Sequence, residues 1–345
     1  MGIKERQRSP TPHAAQRVMD PADHVKLAYV EPANLPQWLA MSRTFPLAVV
    51  SFGSPLSFPV PCPVVYLDLP QLDVPPRCEV WSSVQSVRRY QAGSFCAAVS
   101  GDVLFGSISM AEVSDSLLDY TTEMAYRDIL RHTHGLGFTH LWRMWNYFPR
   151  INEEQHGLER YRRFCIGRHQ ALADTLSDFP GSLPAGTAVG TRSGPLQIYF
   201  LAGGHPVTHL GNPRQVDAFN YPKHYGPRSP SFARATLCRS EASVQLFIAG
   251  TASVVGHESQ HQGLPDRQAR ETLTNLHTII DRADCFEDDP QSLFKVYVRN
   301  PEHLEAVRRT LDDSPLTHSS RLLFLQGDLC RKELLVEIEG LVTTV

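Results

Sequence analysis

VQLFIAGTASV, residues 244–254, repeats DVLFGSISMAE, residues 102–112: each is an apolar strand that runs out into small residues. The downstream elements also come in the same order. After the first copy come a polar linker, the helix-like run TTEMAYRDILRHTHGLG (121–137) and the strand HLWRMWNYFPRIN (140–152). After the second come another polar linker, the helix-like run RQARETLTNLHTIIDRA (267–283) and the strand LFKVYVRNPEHL (293–304). A further helix is next in each, ERYRRFCIGRHQAL (159–172) and EHLEAVRRTL (302–311). A strand closes each unit, GPLQIYFLAG (194–203) and ELLVEIEG (333–340). Two copies of one strand, helix, strand, helix, strand unit predict an α+β fold in which two similar sheet-plus-helix domains are fused in one chain.

The 345-residue length agrees with two domains of about 150 residues each. Residues 1–25 are polar, carry Pro10 and Pro12 and lack periodicity, so a mobile tail is expected there. The N-terminal α+β domain is expected over 26–203, and its first part, 25–69, alternates short apolar runs with prolines in the manner of short strands. A connector over 204–240 then leads to the C-terminal domain, 241–345. That connector is rich in Pro, Gly, Tyr and Arg and is too long for a simple turn. Phe219, Tyr221, Tyr225 and Phe232 interleave there with Arg214, Arg228 and Arg234, which suits either a cover over a small anionic ligand or a structural wrap.

A formal net charge of −3, with 42% apolar and 20% charged residues, describes an ordinary globular protein and argues against a nucleic-acid binder. No apolar run reaches the 18 or so residues of a membrane span, and the N-terminus has no apolar signal-peptide core. The seven cysteines form no C-x-x-C pair, as expected of free thiols in a reducing, cytoplasmic setting.

Chemistry concentrates in the last strand. If 334–339 is extended, Leu334, Val336 and Ile338 face one way while Leu335, Glu337 and Glu339 face the other. A carboxylate on such a strand, poorly solvated among aliphatic residues, holds its proton near neutral pH and can deliver it. An antiparallel strand with one wet face gives the same pattern. Arginines recur in both units, most of them expected on solvated helix faces. Arg168 and Arg321 stand apart, the first beside Gly167 and the second opening the apolar run RLLFLQG, where a charge needs a partner. If both face one cleft they select a substrate with two carboxylates. His257-Glu258-Ser259-Gln260-His261 matches the zinc-protease pattern HExxH, but Gly256 before it and Gly263-Leu264-Pro265 after it leave no room for the helix that zinc ligation requires. No dinucleotide fingerprint, Walker motif or nucleophile elbow is present.

Taken together, WRMWNYFPRIN, ERYRRFCIGR, FNYPKHYGPRSPSFARA, FIAGTASVVGHES and GDLCRKELLVEIEG (327–340) resemble the chorismatases, enzymes that release pyruvate from chorismate. The C-terminal half also resembles the Rid family of imine deaminases, so the resemblance implies two Rid-type, chorismate-mutase-like units fused in one chain. It further implies that Glu337 is the general acid, protonating the methylene carbon of the enolpyruvyl ether. Cys330, seven residues earlier, looks like the mark of the branch that forms 3-hydroxybenzoate. 4-Hydroxybenzoate remains open as a further product. The rivals are a hydrolase giving a dihydroxycyclohexadiene carboxylate and a Rid-type imine deaminase. Chorismate's two carboxylates fit clamps at Arg168 and Arg321, with Tyr161, Tyr221, Arg234 and Arg163 beside them. No metal or organic cofactor, no nucleic acid and no membrane is implied, and the fused repeat suits a monomer or small homo-oligomer.

Overall fold

The computed structural model describes residues 25–113, 117–240, 243–286, 291–318 and 321–344. The tail expected over 1–25 lies outside the described residues except for Val25, which is buried and whose carbonyl accepts a 2.8 Å hydrogen bond from Gln245.

Two six-stranded sheets carry the fold, and they have one topology. In the first, strands run in the spatial order Ala185–Thr191, His140–Pro149, Leu196–Gly203, Val103–Met110, Phe95–Ser100, Arg88–Ala92. In the second the order is Arg321–Gln326, Gln291–Val298, Val336–Thr344, Val244–Ala252, Ala235–Arg239, Thr208–Leu210. Each sheet has one parallel pair, reached through a helical crossover: Ala185–Thr191 on His140–Pro149 and Arg321–Gln326 on Gln291–Val298. The closing strand of each unit slots between two earlier ones in antiparallel register.

The repeat is therefore larger than its sequence signature. Two strands precede each copy and one more sits between its last helix and its closing strand. Thr208–Leu210 and Ala235–Arg239, at either end of the stretch read as connector, pair into the second sheet.

Helices Leu118–Gly135 and Arg160–Thr175 cover the outer face of the first sheet, and Pro265–Ala283 and Leu304–Asp312 that of the second. The inner faces meet across a core of aromatic residues, among them Trp145, Tyr147, Tyr199, Phe247 and Tyr297. A third, four-stranded sheet, in the order Lys26–Val30, Cys78–Ser83, Phe45–Phe52, Val64–Leu67, adds Phe52, Leu67 and Trp81 to that same core. Among the described residues no helix is long and apolar enough to cross a membrane.

Candidate active site

The closing strand begins at Val336, and its alternation places Val336, Ile338 and Val342 in the core beneath the helices. Glu337 and Glu339 point the other way, toward the first unit. The two leucines before it do not follow the expected pattern: Leu335 belongs to the helix-side core and Leu334 to the core between the units. They lie in irregular backbone ahead of the strand, so its period does not bind them.

Glu339 is fully enclosed and heavily paired. Arg143 Nη2 lies 2.6 Å from Oε2 and Lys295 Nζ 2.5 Å from Oε1. Trp145 Nε1 donates at 2.9 Å, Tyr297 at 3.0 Å, and Thr187 Oγ1 also donates. Burial alone would raise its pKa, but Lys295 and Arg143 outweigh burial and hold the carboxyl below the usual carboxylate range.

Glu337 is 4% exposed, and its side chain takes no hydrogen bond from the described residues. Burial, reinforced by the charge of Glu339, pushes it up to about 8, against the weaker pull of Arg143, Arg299 and Arg234. Adjacent carboxyls on one strand face are thus split into an ionised one and a protonated one. The register irregularity between Ile248 and Thr251 makes room for the second: a Cβ on Gly250 would overlap the Glu337 carboxyl.

Glu337 faces a cavity of about 290 Å³. Its walls come from the helix Arg160–Thr175 (Tyr161, Cys165), from the connector (Tyr221, Tyr225, Phe232, Arg234) and from the turn before the closing strand (Cys330, Arg331). A recess of about 30 Å³ extends it past Glu337 to Arg168, Gly186, Thr187 and Ala188. Arg168 is 2% exposed, and its Nε and Nη2 find no acceptor among the described residues. Its guanidinium is flanked by the rings of Phe164 at 4.8 Å and Phe232 at 5.9 Å. Arg234 gives Nη2 to the Val216 carbonyl at 2.9 Å and to the Tyr221 hydroxyl at 2.8 Å, while its Nε is unpartnered among the described residues. Burial, then the neighbouring Glu337 charge, pushes the Cys330 thiol up to about 12, so it is neutral. Tyr161, raised by burial and by Cys165 and Cys330, is neutral too.

The structure brings Glu337, Cys330, Arg168, Tyr161, Tyr221 and Arg234 together. It does not bring in Arg321, which is exposed at the open end of an edge strand opposite Leu293, four residues along from the Tyr297 that faces Glu337. Exposed as it is, its charge does not require a protein partner. Arg163 is also turned away: it binds the carbonyls of Gln155 at 2.7 Å and His156 at 3.2 Å, and lies 3.5 Å from Asp119. The segment His257–His261 begins inside a hairpin in which Val254–Val255 pairs with Glu258–Ser259, with Gly256 at φ 60° in the turn, and ends beyond it. His261 instead meets Glu271 at 3.2 Å. Among the described residues no group of three or more His, Cys, Asp or Glu is arranged to hold a metal ion.

Sequence reasoning missed Arg331, whose guanidinium lies 4.2 Å from the Tyr225 ring centroid and binds the His257 carbonyl at 2.9 Å. It also missed Lys295, and it took Arg143, one of the recurring arginines, for an ordinary surface charge, whereas Arg143 is buried against Glu339. The rule misapplied to Arg321, that a charge inside an apolar strand needs a partner, would have found both in LFKVYV and LWRMW.

Residues 79–202 match the family model described as chorismatase FkbO/Hyg5-like, N-terminal. A 3-hydroxybenzoate synthase of Streptomyces hygroscopicus is 34% identical over 317 residues, which is 86% of this chain and 91% of that protein. A chorismatase from the same organism is 35% identical over 76% of this chain and 78% of its own length. A crystal structure of a chorismatase superposes with a TM-score of 0.83 at 31% identity, covering 92% of this chain and 98% of that one. With a relative 34% identical over most of both chains and a structural match that spans both units, the chain belongs to the chorismatase family.

Proposed function

We propose that the protein cleaves chorismate to pyruvate and 3-hydroxybenzoate. One observation carries this reading: a buried carboxyl that keeps its proton and a buried guanidinium without a carboxylate partner among the described residues line the same small cavity. An enol ether becomes a leaving group only when its methylene carbon is protonated. Glu337 is the donor; the bond between the ring carbon and the ether oxygen of the oxocarbenium ion then breaks, so that the three-carbon unit leaves as pyruvate, and a proton lost from the ring as it becomes aromatic restores the Glu337 carboxyl. Arg168 takes one substrate carboxylate in the recess; Arg234 and Arg331, under Tyr221 and Tyr225, take the other in place of the expected Arg321.

Chorismate and the pair pyruvate plus hydroxybenzoate contain the same atoms, so the aromatising route consumes no water, whereas the dihydrodiol route consumes one. Cys330, a neutral thiol beside Glu337, occupies volume that an attacking water would need, which favours the substrate's own hydroxyl as the group that reacts next. Positioning, a protonated carboxyl and cation pairing supply the catalysis, without a metal or organic cofactor. Composition further supports a cytoplasmic protein acting on this small molecule with no nucleic-acid or membrane partner, and the fused repeat suits a monomer or small homo-oligomer.

Incubating purified protein with chorismate, with and without EDTA, tests the proposal. Pyruvate and 3-hydroxybenzoate are expected in equal amounts in both samples. Absence of pyruvate overturns the reading, and pyruvate with a dihydroxycyclohexadiene carboxylate replaces the synthase with a hydrolase.

A further inference from the structure

Glu337 and Glu339 stand about 7 Å apart along one strand, yet they share almost none of their surroundings. Behind Glu339, Lys295 Nζ also reaches Glu79 of the four-stranded sheet at 2.9 Å, and the other Glu79 oxygen accepts from Tyr199 at 3.0 Å. The enclosed charges Glu79, Glu339, Lys295 and Arg143 balance two against two and leave no cation over for Glu337.

We propose that Glu339 is a positioning residue for the reaction, a fixed negative charge, held by Lys295 and Arg143, that keeps the proton on Glu337. This rests on the reading of Glu337 as the proton donor and extends it to what sets the working pH of that donor.

Charged and titratable groups face the pair from both sides. From the strands His140–Pro149 and Gln291–Val298 come Arg143, Lys295 and the neutral hydroxyls of Tyr147 and Tyr297. From the cavity side come Arg168, Tyr161 and Cys330, with Arg331 and Glu333 beyond. Arg234 and Arg299 lie further off, the latter 2.6 Å from Asp328. The arginines favour loss of the proton. Among the carboxylates, Glu339 shares the strand face of Glu337 and is the main charge opposing that loss.

The pH dependence of kcat/KM for chorismate is the decisive readout. Wild-type activity falls on the alkaline side as Glu337 ionises, near pH 8. Glu339→Gln removes the repelling charge and leaves Lys295 and Arg143 in excess, so that limb moves to lower pH by about one to two units. Glu339→Asp, which keeps the charge, leaves it in place. Glu339→Gln combined with Lys295→Met removes one charge of each sign from the cluster and shifts the limb in the same direction as Glu339→Gln, because Glu339 is the larger influence on Glu337. A rate lowered equally at every pH, with the limb at the wild-type position in both Gln-bearing variants, reduces Glu339 to a structural role and overturns the inference. Wild-type protein that makes no pyruvate at any pH overturns the functional reading and this inference with it, so the two failures are told apart by the wild type alone.

Discussion

At the scale of single residues, alternation puts Glu337 and Glu339 on one face and cannot tell them apart. Environment does, and that environment comes from residues distant in sequence: Arg143 and Lys295 reach Glu339 and stop short of Glu337. Glu337 should therefore cost stability at neutral pH. Its folded pKa of about 8 lies above the unfolded value of 4.5, so folding takes up a proton between those limits. Stability from this group is complete below pH 4.5 and is lost as pH rises through 8, a loss of up to about 3–5 kcal/mol. Glu337→Gln should abolish product formation and escape that loss. Its melting temperature should exceed the wild-type value by a margin that widens from pH 5 to pH 8; a margin flat with pH would mean that the carboxyl is not shifted. Cys330 is legible in the sequence as a neighbour of the acid seven residues away, but what holds its thiol neutral, burial and then the Glu337 charge, comes from the fold. Cys330→Ala opens space for water beside Glu337 and should divert part of the product to the dihydrodiol acid, as chromatography of the aromatic and non-aromatic acids would show; an unchanged product would undo the branch assignment.

Among the elements, those with strong periodicity are legible in the sequence and those made of small residues are not. AGTAVGT, Ala185–Thr191, is buried throughout yet has only Val189 as a larger apolar residue to announce a strand. Its smallness serves the site, because Gly186 and Thr187 leave the recess open between Arg168 and Glu337. Gly250 acts likewise on the neighbouring strand. Its amide donates to Thr187 Oγ1 at 2.9 Å, and the space where a side chain would stand is taken by the Glu337 carboxyl. Gly250→Ala should be tolerated by the fold, since the group it strikes is the mobile end of a side chain. It should nonetheless displace the proton donor, and a misplacement on the order of 1 Å costs about a hundredfold in rate. The expected result is a kcat lower by about two orders of magnitude with a melting temperature near that of the wild type; full activity would show that the strand irregularity does not position the acid.

For the whole molecule, the two-unit plan is visible because each copy repeats the same order of strands and helices, whereas the way the units join is hidden. Residues 25–69 read as strand material, but nothing in their composition places a third sheet against the centre. The tie is the buried ion cluster: Glu79 from the four-stranded sheet, Arg143 from the first unit, and Lys295 and Glu339 from the second. Since all three sheets meet there and share one aromatic core, the molecule should unfold as one body. Lys295→Met tests this. It leaves Glu79 and Glu339 buried with Arg143 as their remaining cation, and breaking a buried pair from one side costs about 3–5 kcal/mol. Adding Glu339→Gln removes one stranded charge and should recover part of that loss, a coupling that a double-mutant cycle measures directly. In urea, far-ultraviolet circular dichroism and the fluorescence of Trp81, Trp142 and Trp145, all within this core, should give coincident transitions for the wild type and both variants. Transitions that separate, or a single variant as stable as the wild type, would show that the cluster does not join the units, and the fold would then be two independent halves with an acid at the edge of one.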